Sequence, residues 1–394
     1  MTRLGNFANA GDDHADTGLK TEGVMILPSM EAAHNPSFPS DSLDEYRMPG
    51  FTMCSFVRGF VQTDVGPVPQ VKTSMDLKDM LFTILVRAGI GRNNYKISPG
   101  LYCVGTPDKD SEVLITANFK LTFDHLRREL EPIDAWILVL DTYGINVWCA
   151  AGKGTFSTQE LVKRVKTSHI DQVVHHKRLI VPQLGATGVS AGDVKKKSGF
   201  TVIYGPIRAK DIPVFLQNNR KADKKMRQVT FTFLERLILT PLEIRILLKP
   251  ALLAVIVLLF ISGFGPGFFS FSNAWFRGLI TLYFLLAGIV SGAIITPAFL
   301  PFIPFKAFAA KGMLSGMIFS LLTLLFISPE KIGLTALFSL CLFTMVISSY
   351  LSMNFTGATP FTSPSGVEKE MKRFIPVQAI GLIISTGFWI YTAF

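Results

Sequence analysis

The spacing of apolar and polar positions changes character along the chain. From residue 71 to 216, short apolar runs alternate with amphipathic stretches. GLYCVG and EVLITANF precede LTFDHLRREL, AWILVL precedes FSTQELVKRVKTS, RLIVPQ precedes AGDVKKKS, and FTVIYG precedes AKDIPVFLQ. Strands covered on both faces read as continuous apolar runs, so this alternation predicts an α/β domain with a mostly parallel sheet and helices on either side. After residue 246 the apolar stretches lengthen to membrane dimensions, and five spans are predicted at 247–264, 275–296, 312–328, 332–352 and 374–393. PAFLPFIPF, 297–305, reads as a break at an interface, because backbone amides in lipid must be satisfied within a helix. Residues 1–70 scatter Asp, Asn, Ser, Gly and Pro among few apolar positions and read as a flexible polar lead-in. The expected order is therefore lead-in (1–70), α/β domain (71–216), basic juxtamembrane connector (217–246) and transmembrane domain (247–394).

Charge orients the stack. Lys306, Lys311, Lys369, Lys372 and Arg373 fall on the same side as Arg245 and Lys249, whereas the opposite side shows Arg277 and Lys331. The expectation is a multi-pass protein of the cytoplasmic (inner) membrane, with the α/β domain in the cytoplasm and the C-terminus outside. No charged-then-apolar leader is expected to export the soluble half. The 39 Lys and Arg outnumber the 29 Asp and Glu. However, the basic run RKADKKMR (220–227) sits just before the first span, where it suits anionic lipid headgroups. With no aromatic-interleaved basic groove, no nucleic-acid partner is expected, and the lipid bilayer is. Ionisable residues are nearly absent from the span centres, which argues against an ion pathway.

Ligands of such sheets bind beyond the carboxyl ends of the strands. Four segments occupy that position. They are TANFK with Thr116 and Asn118, DTYGINVWCAAGKG, QLGATGVSAGD with Gly185, Ala186, Thr187 and Gly188, and YGPIRA with Gly205. Their small residues allow close approach of a bulky cofactor. Ser157 and Glu160 form an S-x-x-E capping box that starts the long helix, leaving Cys149 in the connection before it. Ala150, Ala151 and Gly152 clear space beside the thiol, and Trp148 buttresses it. A P-loop fails at both ends, with Val147 where the first glycine is required and Gly154 in place of Ser or Thr. No motif links His125, His169, His175 or His176 to Cys149 as a base. The four cysteines, Cys54, Cys103, Cys149 and Cys341, contain no CxxC pair, so a disulfide framework, a zinc knuckle and a self-contained iron-sulfur site are not expected. A buried filler thiol and a thiolate facing a planar metallocycle both remain open for Cys149.

Residues 146–153, NVWCAAGK, resemble without a substitution the cap-helix motif of the mercury-methylating corrinoid proteins. More widely, TANFKLTFDHLR, DAWILVLDTYGINVWCAAGKGTF and QLGATGVSAGDVKKKSGFTVIYGPIRAKDIPVF resemble the corrinoid-binding domain of the corrinoid iron-sulfur protein. The likeness covers 71–245, and NFTGATPFTSPSGVEKEMKR (354–373) is also similar to the first family. The resemblance implies a Rossmann-like α/β corrinoid-binding domain followed by an all-α transmembrane domain of five helices. It implies cobalamin or a related corrinoid, base-off, with Cys149 as the lower axial ligand to cobalt. Asn146, Val147, Trp148 and Lys153 would hold the loop, while Ala150, Ala151 and Gly152 would lie against the ring. The alternative histidine motif, DxHxxG, is approached only by DDHADTG (12–18), whose glycine falls one place late. The implied activity is that of a methyltransferase enzyme acting on an Hg(II) thiolate, since a soft sulfur trans to the methyl group favours carbanion-like or radical release. Implied partners are a ferredoxin-like protein with two [4Fe-4S] clusters as electron donor and a methyl-folate type donor system. The alternatives are a corrinoid methyl carrier of one-carbon metabolism, of the acetyl-CoA pathway type, and a transporter or membrane scaffold with a ligand-sensing domain.

Overall fold

The computed structural model describes residues 55–131, 133–326, 332–359 and 364–394. Cys54, Lys331, the DDHADTG stretch and part of the 354–373 connection lie outside the described residues. The chain divides into two units. One comprises Asn93–Tyr204 with the chain up to Thr73, and the other comprises Ser74–Arg92 with Gly205–Phe394. The first is mixed α/β, and the second is all-α with five long apolar helices apart from one two-residue hairpin.

The first unit is built on a seven-stranded sheet. Its strands are β1 (Val57–Thr63), β2 (Gly66–Val71), β3 (Gly100–Val104), β4 (Val113–Ala117), β5 (Ala135–Leu140), β6 (Arg178–Val181) and β7 (Thr201–Tyr204), in the order β1-β2-β3-β5-β4-β6-β7. The strands β5, β4, β6 and β7 are parallel. They are the apolar runs of the sequence, and every residue of β4 and β5 is buried. Helices α2 (Lys120–Arg128), α4 (Thr158–Thr167) and α5 (Ala191–Ser198) follow β4, β5 and β6.

Two features depart from a mostly parallel sheet beginning at residue 71. Strand β3 runs antiparallel to β5, because the short connection 105–112 reverses the chain and cannot carry the crossover that parallel strands require. In addition, β1 and β2 form an antiparallel hairpin within the stretch assigned to the flexible lead-in. Its apolar residues are diluted by Asp, Gln and two prolines, so a composition average hides them. Val68 and Val71 are nonetheless buried, and β2 adds alongside β3.

Cys103 lies in β3, fully buried in the core with Leu101, Val113 and Trp136. Burial, with the Asp134 carboxylate nearby, pushes its thiol from 9.0 up to about 12. The unfolded thiol ionises first, so between these values the folded state holds more protons and stability falls as pH rises. The expected loss is at most about 1.4 kcal/mol per pH unit through that window, fully absent below it, and Cys103→Ala should flatten the slope in denaturant titrations at pH 8, 9 and 10.

In the second unit, an amphipathic helix α1 (Leu77–Arg87) accompanies the apolar helices. The five membrane-length helices run Phe233–Ser262, Phe271–Ala298, Phe308–Phe326, Leu334–Gly357 and Ser365–Tyr391. The first begins inside the segment assigned to the 217–246 connector. Charges at Glu235, Arg236, Glu243, Arg245 and Lys249 interrupt its hydropathy, while Pro241 lies in the first turn of its long segment Thr240–Ser262, where its missing N–H costs nothing. The second helix ends at the break read from PAFLPFIPF, and buried cations satisfy the freed carbonyls. Arg236 donates to Ala298 O at 2.8 and 3.1 Å, and Lys311 donates to Leu300 O at 2.8 Å and to Ile303 O.

Hydroxyls join the spans. Ser348 Oγ donates to Gly312 O at 2.7 Å, Ser352 Oγ to Gly292 O at 3.1 Å, and Ser339 Oγ to Ser385 O at 2.7 Å. Gly312 permits the approach, since a Cβ there would fall 2.5 Å from Ser348 O. Cys341 packs beside the cluster of Phe284, Leu340 and Trp389.

Candidate functional site

Beyond the carboxyl end of β5 the chain makes a turn and a short helix, α3 (Val147–Lys153). Asn146 caps it, its side-chain oxygen accepting from Cys149 N at 2.9 Å, and Gly154, left-handed at φ 78°, ends it. Cys149 is therefore in the first turn of a short helix between strand and long helix. Helical spacing divides the motif into two faces. Val147, Ala150 and Ala151 are buried against the sheet core, while Trp148, Cys149, Gly152 and Lys153 are exposed. Around the position of a Cβ on Gly152 there is nothing within 4 Å. The outer face is a thiol, an indole edge and an opening. The buried-filler reading of Cys149 ends here, since the thiol is exposed.

The turn before α3 is fixed from β4. Asn118, buried, accepts on its side-chain oxygen from Thr142 N at 3.1 Å and Gly144 N at 2.9 Å, and its amide donates to Asp141 Oδ1 at 3.0 Å. The Thr142 hydroxyl lies 2.7 Å from Ile145 O and 2.9 Å from Asn118 Oδ1, donating to one at a time. Asp141 Oδ1 also accepts from Tyr143 N at 3.1 Å, which holds Tyr143 at φ 56°. Asn118→Ala would orphan two backbone donors, at a cost of about 2 kcal/mol. The expected result is faster hydrogen exchange at Thr142 and Gly144 with β4 and β5 still protected.

The support beneath α3 comes from the loop after β6. A Cβ on Gly188 would lie 2.0 Å from Phe156 O and 3.1 Å from Ala151 Cα, and one on Gly185 would lie 2.5 Å from the Phe156 ring. These glycines admit α3 and Phe156, so their smallness serves packing. Ser157 caps α4 through Glu160 N at 3.3 Å. The Glu160 carboxylate does not close the reciprocal box expected from S-x-x-E. It accepts from Asp141 N at 2.9 Å and Arg164 Nε at 2.7 Å, bridging the end of β5 to the start of α4.

Of the residues expected to line a cofactor, those at 146–153, Asn118, Gly185 and Gly188 come together around α3. Thr116 is buried within β4, Ala186 is half-buried and Thr187 exposed. Gly205 is buried and counted with the second unit. Asp141, Thr142, Phe156 and the second role of Glu160 went unread in the sequence. DTYG shows a turn composition, but the partner of its donors is far away in sequence. Among the described residues no group of three or more His, Cys, Asp or Glu could hold a metal ion.

A family model described as CO dehydrogenase/acetyl-CoA synthase delta subunit matches residues 71–216. The chain is similar to subunits of acetyl-CoA decarbonylase/synthase. The gamma subunit of that complex from Methanopyrus kandleri is 34% identical over 128 residues, 32% of this chain and 27% of the relative. The Methanocaldococcus jannaschii gamma subunit is 31% identical over 150 residues, 37% of this chain and 30% of the relative. The corrinoid/iron-sulfur protein large subunit of Moorella thermoacetica is 32% identical over 118 residues, covering 29% and 26%. The chain thus spans less than a third of the length of these relatives, and the likeness to differently named subunits concerns a shared domain.

These similarities correct the expectation of a mercury-methylating enzyme. The matched proteins are named for acetyl-CoA and corrinoid/iron-sulfur chemistry, so the Hg(II) thiolate substrate, the methyltransferase activity, the two-cluster ferredoxin-like donor and the methyl-folate donor system are withdrawn. The physical reason is that an eight-residue motif fixes a short helix and the side chains on its outer face, and names no acceptor. A sulfur beneath a metal tunes its electron density but does not choose an acceptor.

Proposed function

We propose that the α/β unit is a corrinoid carrier of the acetyl-CoA decarbonylase/synthase type, a subunit that holds and presents its cofactor and leaves catalysis to others. The observation that carries this reading is the outer face of α3, an exposed thiol beside a glycine with open space around it. That face fits a flat macrocycle, and a cysteine thiolate is a soft ligand able to meet cobalt. A bound corrinoid would supply a metal centre that takes up and gives away a one-carbon group. Cys149 would be the residue whose sulfur holds the cobalt. Asn146 sets the helix start beneath the thiol, Ala150 and Ala151 anchor the inner face, and Trp148, Gly152 and Lys153 offer the surface along which the ring lies. Asn118, Gly185 and Gly188 act from behind by holding α3.

The five apolar helices hold the chain at a membrane, crossing it in the inner membrane with the α/β unit in the cytoplasm and the C-terminus outside. Support for that orientation is the distribution of Arg245, Lys249, Lys306, Lys311, Lys369, Lys372 and Arg373 against Arg277. The full chain in detergent, incubated with cobalamin and desalted, is expected to retain one cobalt per chain. It should pass an isotopically labelled one-carbon group only when a second protein is added. Failure to retain cobalt would remove the carrier, and unaided turnover of a small acceptor would make the chain an enzyme.

A further inference from the structure

Helix α1 is amphipathic in the wrong sense for a helix facing water. Its outward residues are Leu77, Met80, Leu81 and Ile84, exposed by 85%, 52%, 56% and 65%, followed by Ile90. Its inward residues include Asp79 at 5% and Val86 at 1%. At 100° per residue, positions 77, 80, 81, 84 and 88 share one side, and 79 and 86 lie opposite. The carboxylate faces protein and the leucines face out. A helix surrounded by water lowers its free energy by turning the other way, because each large apolar side chain then leaves the solvent.

Three further observations identify the covering medium. First, α1 belongs to the unit that carries the five apolar helices. Second, its end abuts the beginning of the first of them: at Gly89, left-handed at φ 85°, a Cβ would lie 2.8 Å from Leu242 Cδ1 and 3.2 Å from Arg245 Cδ. The neighbouring residues Ile238 and Ile246 of that span are exposed apolar positions too, so the stripe of α1 continues a lipid-facing surface. Third, the charges flanking the stripe are basic, with Lys78, Arg87 and Arg92 joined by Arg245 and Lys249, while the Asp76 side chain caps the helix by accepting from Asp79 N at 2.6 Å. A basic border around an apolar stripe matches an anionic headgroup layer over acyl chains.

We infer that α1 is an in-plane membrane anchor, lying in the headgroup layer of an anionic bilayer with Leu77, Met80, Leu81 and Ile84 turned toward the acyl chains. It places a sixth membrane contact between β2 and β3 in sequence, beyond the five spans, and it is independent of what α3 holds. The chain thereby meets the membrane on both sides of Asn93–Tyr204 in sequence, through α1 and through the first span.

Photo-crosslinking in native membranes tests it. p-Benzoylphenylalanine placed at Leu81 or Ile84 of the full chain is expected to give phospholipid adducts at ~5-fold or more the yield of the same probe at Lys109, an exposed loop residue of the α/β unit. Adducts to another protein at both positions would overturn the anchor and make the stripe a partner surface. Lipid yield no higher than at Lys109 would overturn it as well. Cobalamin retention by the same variants should be unchanged, so failure here is distinguishable from failure of the carrier reading.

Discussion

Replacing Cys149 by alanine is expected to abolish sulfur ligation of a bound corrinoid while leaving the fold intact. The side chain is exposed, its backbone N–H keeps its bond to Asn146, and alanine favours a helix, so stability should stay within about 0.5 kcal/mol of the parent. Loss of supporting ligands around metals costs 10–100-fold, so loss of the ligand itself should weaken retention by ~100-fold or more. The measurement is the absorption spectrum of the cobalamin-loaded full chain beside its thermal transition. An unchanged spectrum in Cys149→Ala would assign the metal to another residue, and a collapsed transition would make Cys149 a packing residue.

Gly188→Ala should lower stability and cofactor retention together. Its new methyl group would meet Phe156 O at 2.0 Å and the backbone of Ala151, and neither can move without displacing α3. Overpacking of this kind costs about 3 kcal/mol, and relief would carry α3 away from the sheet, with retention of the cofactor falling alongside stability. Gly152→Ala separates the two effects. There is open space at that position, and alanine gains about 0.8 kcal/mol of helix propensity over glycine. Stability should hold or rise while corrinoid retention drops, because the methyl group occupies the face proposed for the ring. Denaturant titration with parallel desalting reads both quantities. Equal retention in Gly152→Ala and the parent would place the ring elsewhere.

Much of this architecture is legible in the sequence because its signals are local. The buried strands β4, β5 and β6 announce themselves as apolar runs, Ser157 marks the start of α4, and five apolar stretches mark the long helices. What stayed hidden depends on partners distant in sequence. The β1-β2 hairpin exists because the edge of β3 accepts it, and nothing in its own polar composition shows that. Asn118 looks like a ligand contact in TANFK, yet it is spent on Thr142 and Gly144, some 25 residues on. Gly185 and Gly188 suggest room for a ligand, but their room is taken by Phe156 and Ala151. The exposure of Cys149 was undecided by sequence because α3 buries alternate faces, and only the register of a seven-residue helix assigns the thiol to one of them. Function was over-read for a related reason. The motif at 146–153 specifies a short capped helix, and a helix of that kind does not name an acceptor.

Among the three described cysteines, Cys149 alone is exposed. Held on a helix pinned from β4, β6 and α4, it cannot fold inward when nothing covers it. With the proposed face of α3 uncovered, the chain presents a bare sulfur to peroxide, open to conversion to sulfenic and then irreversibly to sulfinic acid. A bound ring would be a shield as much as a tool, and exposure of the empty chain to air would steadily erode the fraction able to be filled.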